Sequence, residues 1–209
     1  MVHKGVAPKQ AKSKPSYAEQ AKSLLVDVIL DSADSMIRKI GWSQTRMEAI
    51  AKASGVSKPT LYRAFGTREQ LASAYLDRET DRLADTVRES LSRTSSLDSV
   101  ATTRVMLVTA LDSLRDNPLV AAVLADDDSS AGLLPLLTVH GDRLLERATD
   151  RIIPLVEEWF PDVDAVLRRR FVDSVIRLLL SHSILPGASP DETVDTVMTM
   201  IEPFIEKHF

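Results

Sequence analysis

A run of four residues, SKPT at 57–60, carries side chains that could read duplex DNA from the start of a short helix. Lysine can donate to guanine or phosphate, and a proline ring or a threonine methyl group can contact a thymine methyl group in the major groove. Outward side chains after the run suit phosphate oxygens, which position a protein on DNA without reading its sequence. The predicted DNA-contacting residues here are Ser57, Lys58, Pro59, Thr60, Tyr62 and Arg63.

Short helices and tight turns between residues 41 and 71 are predicted to position this tip. A helix over about 46–53 turns sharply at Gly55, the next helix begins at Ser57, and Gly66 ends it. Such a pair is typical of a helix-turn-helix, whose second helix lies in the major groove. A helical corner with a solvated basic face is the simpler alternative and stays open at this level.

The two flanking helices start with threonines, in Thr45-x-x-Glu48 and Thr67-x-x-Gln70, the pattern of a capping box. Free N–H groups and the positive end of the helix dipole make such starts suitable for phosphate. An arginine in the first turn opposes that dipole, which makes sense if an anion docks there. The predicted phosphate contacts are therefore Thr45, Arg46, Thr67 and Arg68.

A longer pattern runs through the same stretch, formed by Thr45, Ile50-Ala51, Ser54-Gly55-Val56-Ser57, Thr60-Leu61-Tyr62, Phe65 and Arg68-Glu69-x-Leu71. This pattern resembles the N-terminal domain of the tetracycline-repressor-like (TetR) family of bacterial regulators, and the resemblance covers about residues 20–71. It implies that residues 45–46 touch phosphate, that residues 58–60 read bases, and that Tyr62 and Arg68 hold the DNA backbone.

Helical periodicity continues to the end of the chain, and no stretch is convincing as a strand. We therefore predict an all-α protein of about nine helices, with an N-terminal three-helix DNA-binding domain followed by a helical ligand-binding and dimerisation domain. The predicted bounds are 1–15 for a flexible basic arm, 16–67 for the DNA-binding domain and 68–209 for the second domain. The predicted helices span about 17–39, 46–53, 58–65, 68–92, 98–115, 118–125, 132–159, 162 or 164 to 185, and 190–207.

The N-terminal arm has two interpretations. Its lysines alternate with small residues and two prolines, and almost nothing in it can pack against a core. Such a tail could lie along DNA or enter the minor groove, or it could be a terminus without a role.

Composition excludes several kinds of site. The 209 residues are 44% apolar and 27% charged, and they include no cysteine, so disulfides, thiol catalysis and cysteine-based zinc sites are excluded. Without a signal peptide or an apolar run of membrane-spanning length, we expect a cytoplasmic protein with no membrane partner. Residues 1–80 carry 13 Lys and Arg against 8 Asp and Glu, whereas residues 81–209 carry 13 against 22. This asymmetry either reflects a phosphate-facing first part or is chance clustering.

The last two predicted helices favour a homodimer. Apolar residues within 175–180 extend round more than one face, which indicates a partner on each side of that helix. By resemblance to the family, these helices from two chains form a four-helix bundle, and the alternative is a monomer with an internal helix. The predicted interface residues are Phe171, Val175, Leu179, Val194, Met198, Ile201 and Ile205.

The predicted helices between 98 and 159 carry more aliphatic residues than short helices need, which favours a pocket for an apolar or amphipathic small molecule. The alternative is that these residues form an ordinary core. The predicted pocket residues are Met106, Leu107, Leu111, Leu137, His140, Trp159 and Ile176.

Together these features predict a ligand-responsive transcriptional regulator, in the leading interpretation a homodimeric repressor that its effector releases from a near-palindromic operator. A transcriptional activator of the same fold and a helical interaction module without DNA binding are the alternatives. No serine elbow, glycine-rich phosphate loop or metalloprotease motif occurs, and the four histidines form no recognisable constellation. We therefore expect no enzyme activity, cofactor or metal site.

Overall fold

Eight α-helices form the part of the chain that the structure describes. It is a computed structural model that describes residues 16–93, 98–117, 141–185 and 187–209, and those ranges contain no strand. The all-α prediction is confirmed. In chain order the helices are α1 (Tyr17–Gln44), α2 (Met47–Ala53), α3 (Lys58–Phe65), α4 (Arg68–Ser92), α5 (Ser99–Arg115), α6 (Gly141–Trp159), α7 (Ala165–Ile184) and α8 (Pro190–His208).

Capping residues close in sequence set most of these helix starts. A reciprocal capping box, in which two side chains bond each other's backbone N–H groups, opens α1, α4 and α8. Asp164, rather than Asp162, caps α7. The three capping boxes join Ser16 with Glu19, Thr67 with Gln70, and Ser189 with Glu192.

Two glycines make the sharp turns among the first three helices. Gly41 has a φ of 77° and interrupts α1 before a final turn that continues to Gln44. Gly55 has a φ of 71° in the connection between α2 and α3. Both angles lie in the left-handed region, where a glycine escapes the steric penalty of a Cβ atom. The predicted break at Gly41 is confirmed, and the helix resumes for a few residues beyond it.

The first hydrophobic core fixes α2 and α3 against α1. Trp42, Ile50 and Leu61 are no more than 4% exposed and belong to one cluster. Leu71 and Tyr75, in the first turns of α4, are fully buried in the same cluster. The long helix α4 therefore begins inside the first domain and carries its backbone directly into the second.

The second region is built from α4 to α8 around further hydrophobic clusters, two of which involve α7. In the first, Leu107 and Leu111 of α5 pack with Leu179 of α7 and the apolar face of α8. In the second, Val156 of α6 and Val172 of α7 are joined by Met106 of α5. Helix α5 therefore contributes to both clusters from different faces.

Part of the predicted second domain lies outside the described residues. The predicted helix over 118–125 and the beginning of the predicted helix over 132–159 both fall there. The remainder of the latter is α6, which continues through Pro154 as one helix. No described helix combines the length and apolar character that crossing a bilayer requires.

Candidate nucleic-acid interface

The start of α3 separates an apolar anchor from an outward polar face. Leu61 is completely buried and Phe65 is 8% exposed, so both hold the helix on the core. The side chains between and before them point away from that core. Lys58, Pro59, Tyr62 and Arg63 are exposed, and Thr60 is half-buried.

Ser57 and Thr60 hold the first turn of α3 together. The Ser57 hydroxyl oxygen accepts a hydrogen bond from the Thr60 backbone N–H at 3.2 Å and lies 2.8 Å from the Thr60 hydroxyl. This is the expected N-cap of the helix. Because both hydroxyls are engaged, the Pro59 ring and the Thr60 methyl group are the apolar groups that this turn can offer to a base.

Lys58 has an acidic neighbour on α2. Its Nζ atom lies 3.4 Å from Oε1 of Glu48, and the two side chains are 61% and 49% exposed. The pKa of the Glu48 carboxyl is held below its usual value, mainly by a hydrogen bond from its own backbone N–H and, to a smaller extent, by the Lys58 cation. Glu48 was expected to complete a capping box with Thr45. That prediction is wrong, because Arg46 occupies the N-cap of α2 and makes no side-chain cap bond.

Thr45 is buried rather than presented to solvent. Its side chain is 1% exposed, and its hydroxyl donates to the Gly41 carbonyl oxygen at 2.7 Å. The hydroxyl is therefore turned inward and already bonded, and the phosphate contact at this helix start, which was predicted for its backbone N–H groups and dipole, stays a prediction. Arg46, the next residue, is exposed and retains its predicted place on the surface.

Arg68 joins the start of α4 to the end of α1. Its Cζ atom lies 4.3 Å from the centroid of the Trp42 ring, and it also donates a hydrogen bond to the Trp42 carbonyl oxygen. Guanidinium groups stack favourably on indole rings. Arg68 therefore has a packing role besides its predicted phosphate contact, which stays a prediction. Thr67 is exposed and caps α4 as expected.

On its α1 side, α4 is tied to the N-terminal helices by polar contacts. Arg78 and Arg82 pair with the Asp31 carboxylate at 2.8 Å and 3.2 Å. The Tyr75 hydroxyl donates a hydrogen bond to Asp34 of α1. These contacts fix the middle of α4 to α1, the helix on which α2 and α3 pack.

On its other side, α4 is tied to α6 by a ladder of ion pairs. The paired residues are separated by 70 positions in each case, so the two helices run parallel in one register. Asp77 is buried, and Arg151 also approaches it, at 3.5 Å. The pairs are Asp77–Arg147, Asp81–Arg151 at 3.0 Å, and Arg88–Glu158 at 3.0 Å.

The predicted pocket residues are divided among different parts of the second region. Met106 and Ile176 pack on the cluster of α6 and α7, whereas Leu107 and Leu111 belong to the cluster with α8. Trp159 is 37% exposed at the end of α6. Leu137 and His140 lie outside the described residues. Among the described residues, the members of the predicted set therefore do not line one common pocket.

A cavity of about 170 Å³ lies beside Trp159, between the start of α5, the turn at 160–163 and Phe209. It is smaller than the ~300 Å³ at which ligand pockets usually begin. Phe209 closes it by packing its ring 5.0 Å from Phe160, and Ser99 donates to the Phe209 carbonyl oxygen at 3.0 Å. Within the described ranges, no group of three or more His, Asp or Glu residues could hold a metal ion.

The predicted dimer residues form the interior of the protomer. Five of them are buried, and all seven belong to or pack against the cluster that joins α5, α7 and α8. As a surface for a second subunit this prediction is wrong for the five buried residues, because the protomer's own helices already cover them, and it stays a prediction for the two half-buried residues. The five buried residues are Leu179, Val194, Met198, Ile201 and Ile205, and the half-buried ones are Phe171 and Val175.

Two of the contacts that sequence reasoning missed had usable signals. Asp77 and Asp81 are four residues apart on one helix, and Arg147 and Arg151 are four apart on another, which is the pattern of complementary helix faces. Trp42 follows directly after the glycine that ends a helix, where a large side chain can fold back on the core. No sequence signal indicated that Glu48 would pair with Lys58 rather than complete a capping box.

Helices α2 and α3 form a two-helix corner with an exposed basic tip, and one long helix ties this corner to a separate helical region. These features define the class of helix-turn-helix transcriptional regulators. Residues 29–75 match the model of the bacterial regulatory proteins of the tetR family, and residues 98–203 match that of the bacterial tetracyclin repressor C-terminal domain. The chain belongs to the TetR family of DNA-binding transcriptional regulators.

Several known regulators match this chain over most of its length. The HTH-type transcriptional regulator AlkX of Mycobacterium tuberculosis is 31% identical over 195 residues, which span 92% of this chain and 90% of that protein. The crystal structure of the TetR family repressor AlkX from Dietzia sp., implicated in biodegradation of n-alkanes, is 28% identical with a TM-score of 0.74, covering 88% of this chain and 96% of that one. Thermus thermophilus FadR in complex with lauroyl-CoA shares the fold at 18% identity, with a TM-score of 0.59 and coverage of 84% and 92%.

Proposed function

We propose that the protein is a homodimeric repressor that binds a near-palindromic operator and leaves it when an aliphatic or amphipathic molecule binds. The observation that carries DNA recognition is the outward start of α3, where Lys58 and Pro59 are exposed above the buried Leu61. A helix of this kind fits the major groove, where lysine reads guanine and an apolar group meets the thymine methyl group. Tyr62 and Arg63 flank the tip on the side of the DNA backbone.

The phosphate contacts come from both edges of the reading head. Arg46 is exposed at the start of α2, and the exposed Thr67 marks the N-terminus of the long helix α4. The positive dipole end of α4 favours a phosphate there, beside a capping box that already engages the N–H groups of Thr67 and Gln70. The DNA-binding domain thus comprises residues 16–67 together with the first turns of α4, and the rest of the chain to 209 holds the effector and the partner subunit.

The dimer is formed by the outward sides of α7 and α8. Small and apolar residues recur there at spacings of four and three, which align them along one side of each helix. Met200 is 54% exposed although it is apolar. To bind successive major grooves, a twofold dimer must present its two reading heads about 34–36 Å apart. The proposed interface residues are Ser174, Leu178, Ser181, Thr196, Met200 and Pro203.

An aliphatic effector is supported by the side chains between α5, α6 and α7. Met106 and Ile176 pack there with Ile152 and Ile153. Thr149 is three and four residues before those isoleucines, so it lies on the same side of α6. Its buried hydroxyl has no hydrogen-bond partner among the described residues, which suits the polar end of an amphipathic molecule. The similarity to a repressor implicated in n-alkane biodegradation points to the same chemistry.

The effector acts through α4. Asp31 and Asp34 of α1 hold one side of this helix, and Arg147 and Arg151 of α6 hold the other. An effector that displaces α6 therefore displaces α4 and, with it, the reading head. Only a difference in effector affinity between the two arrangements can drive this change.

Selection of bound fragments from total genomic DNA of the source organism tests DNA recognition. We expect the fragments to share a near-palindromic sequence and their affinity to fall steeply with salt. Replacing Lys58 and Thr60 by alanine should relax the sequence preference, whereas Arg63→Ala should weaken binding to all DNA alike. Binding without any preferred sequence would overturn the proposal.

Adding n-alkanes, or carboxylic acids of the same chain length, to the selected complex tests the effector. Release by a long-chain carboxylic acid but not by a short-chain acid supports an amphipathic, aliphatic ligand. No release by any of these compounds contradicts it. Expression of a reporter behind the selected fragment gives the direction of control. Expression that rises when the regulator is removed supports repression, and expression that falls indicates an activator.

A further inference from the structure

Glu48 is the one acidic residue between Gly41 and Thr67, the stretch that contains α2, α3 and their turns. A carboxylate on a surface that meets phosphate is unfavourable unless it serves a purpose, because like charges repel across the interface. It lies among four basic residues, which are Arg46, Lys52, Lys58 and Arg63.

Folding accounts for the charge of Glu48 but not for its position beside Lys58. The first turn of α2 favours a carboxylate through the helix dipole. The pair itself is largely exposed, with Nζ of Lys58 3.4 Å from the Glu48 carboxylate, and exposed pairs contribute little to stability. What the pair does control is the ammonium group at the very start of the reading helix.

We propose that Glu48 is a specificity-determining residue, which holds the Lys58 ammonium group until an operator base competes for it. At an operator, the O6 and N7 acceptors of a guanine can take the ammonium group from the carboxylate. At other sequences Lys58 stays paired with Glu48, and the carboxylate repels the phosphates nearby. The pair thereby weakens non-specific binding more than operator binding. This inference rests on the proposed operator recognition.

The variant Glu48→Gln tests the inference against two duplexes, the fragment selected from genomic DNA and a scrambled duplex of the same length and composition. We expect affinity for the scrambled duplex to rise by about threefold, the size of one exposed charge interaction. Since Lys58 then neutralises an additional phosphate, the salt dependence on that duplex should steepen by about 0.9 in the logarithmic slope. Affinity for the selected fragment should change less, so that the ratio of the two affinities falls.

Two further variants make the result specific to the pair. Lys58→Ala combined with Glu48→Gln should lose the gain on the scrambled duplex, because the freed ammonium group is absent. Glu146→Gln removes an exposed carboxylate from α6 and should leave both affinities unchanged. The thermal midpoint of Glu146→Gln should match that of the unmodified protein, and those of the Glu48 variants should fall only slightly, by the loss of a charge that favours the first turn of α2.

Three results would overturn the inference. Equal changes on both duplexes would show that Glu48 acts as a general charge, and a gain that persists in the double variant would show that it acts without Lys58. Loss of binding to the selected fragment in Glu48→Gln would show that the carboxylate reads a base itself. Failure of the unmodified protein to prefer any fragment is a different outcome, which overturns the proposed regulator together with this inference.

Discussion

The Tyr75 hydroxyl on α4 donates a hydrogen bond to the Asp34 carboxylate on α1, joining the long connecting helix to the DNA-binding domain. Tyr75 is fully buried, and Arg38 donates to the other carboxylate oxygen at 3.0 Å. Burial raises the pKa of Asp34, but the hydrogen bonds from Tyr75 and Arg38 outweigh burial and hold it below its ordinary value. The carboxylate therefore stays charged and keeps both donors in place.

Tyr75→Phe should destabilise the protein by about 1–2 kcal/mol at neutral pH, because a half-buried carboxylate loses a donor. The pKa of Asp34 in the folded protein lies below its unfolded value of about 4, so its contribution is present above that value and is lost as the pH falls through the folded pKa. The variant should therefore lose less stability than the unmodified protein between neutral and acid pH. Urea denaturation at both pH values measures the difference.

Tyr62→Phe is the matched control, since its ring is exposed on the reading helix and no buried carboxylate depends on its hydroxyl. Its stability should stay within about 0.5 kcal/mol of the unmodified protein at both pH values. Equal pH dependence in Tyr75→Phe and the unmodified protein would contradict the role of this hydrogen bond in holding Asp34 ionised.

Asp77→Asn should weaken the link between α4 and α6. The buried carboxylate accepts from Arg147 and lies 3.5 Å from Arg151, so its neutralisation removes charge-assisted bonds worth about 1.5–3 kcal/mol. If α4 transmits the effector signal, the concentration of effector needed to release DNA should also change. Asp85→Asn is the control, because its side chain is 78% exposed and its pair with Arg88 lies within one helix. Unchanged stability and response in Asp77→Asn would contradict the coupling.

Signals between residues a few positions apart were enough to predict the helices and turns of the reading head. The predictions failed where the packing of residues distant in sequence decides which way a side chain faces. Ser57 caps α3 as expected because the bonded groups are three residues apart. Thr45 carried the same signal, yet its hydroxyl turned to Gly41 once Trp42 packed inward. Likewise, an apolar stripe containing Met198 predicts a buried face but cannot say whether α5 or a second subunit covers it. That choice depends on how the helices are arranged in space.

Met200→Arg should convert the proposed dimer into a folded monomer, because a charged side chain enters the centre of the α8 face. The only expected fall in the midpoint of thermal unfolding is the one caused by losing the partner subunit, since Met200 is 54% exposed in the protomer. Met198→Ala is the opposite case, as this residue is 1% exposed and its truncation should cost about 2–5 kcal/mol while leaving the dimer intact. Sedimentation velocity and chemical denaturation distinguish the two. A dimeric Met200→Arg protein would contradict the proposed interface.

Arg68→Lys separates packing from phosphate binding. Lysine keeps the positive charge but cannot stack a planar group on Trp42 or retain the same hydrogen-bond geometry. If the contact with Trp42 is the main role, stability should fall by about 1 kcal/mol. DNA affinity should fall only as far as the reading head loosens. If phosphate contact dominates, stability should be unchanged while DNA affinity falls, because lysine cannot bind a phosphate through two parallel N–H groups. Denaturation and DNA titration of the same protein decide between them.

Thr149→Val should leave the protein as stable as before or more stable by about 1–2 kcal/mol, because the hydroxyl is buried without a partner and valine has nearly the same shape. Thr103→Val is the matched control, since Thr103 is equally buried but donates to the Ser99 carbonyl oxygen at 2.8 Å. Its loss of that bond should destabilise the protein by about 1 kcal/mol. If the Thr149 hydroxyl binds the polar end of the effector, its variant should also need several times more effector to release DNA. Destabilisation of Thr149→Val as large as that of Thr103→Val would mean that the hydroxyl is bonded within the protein, and the proposed ligand contact would fail.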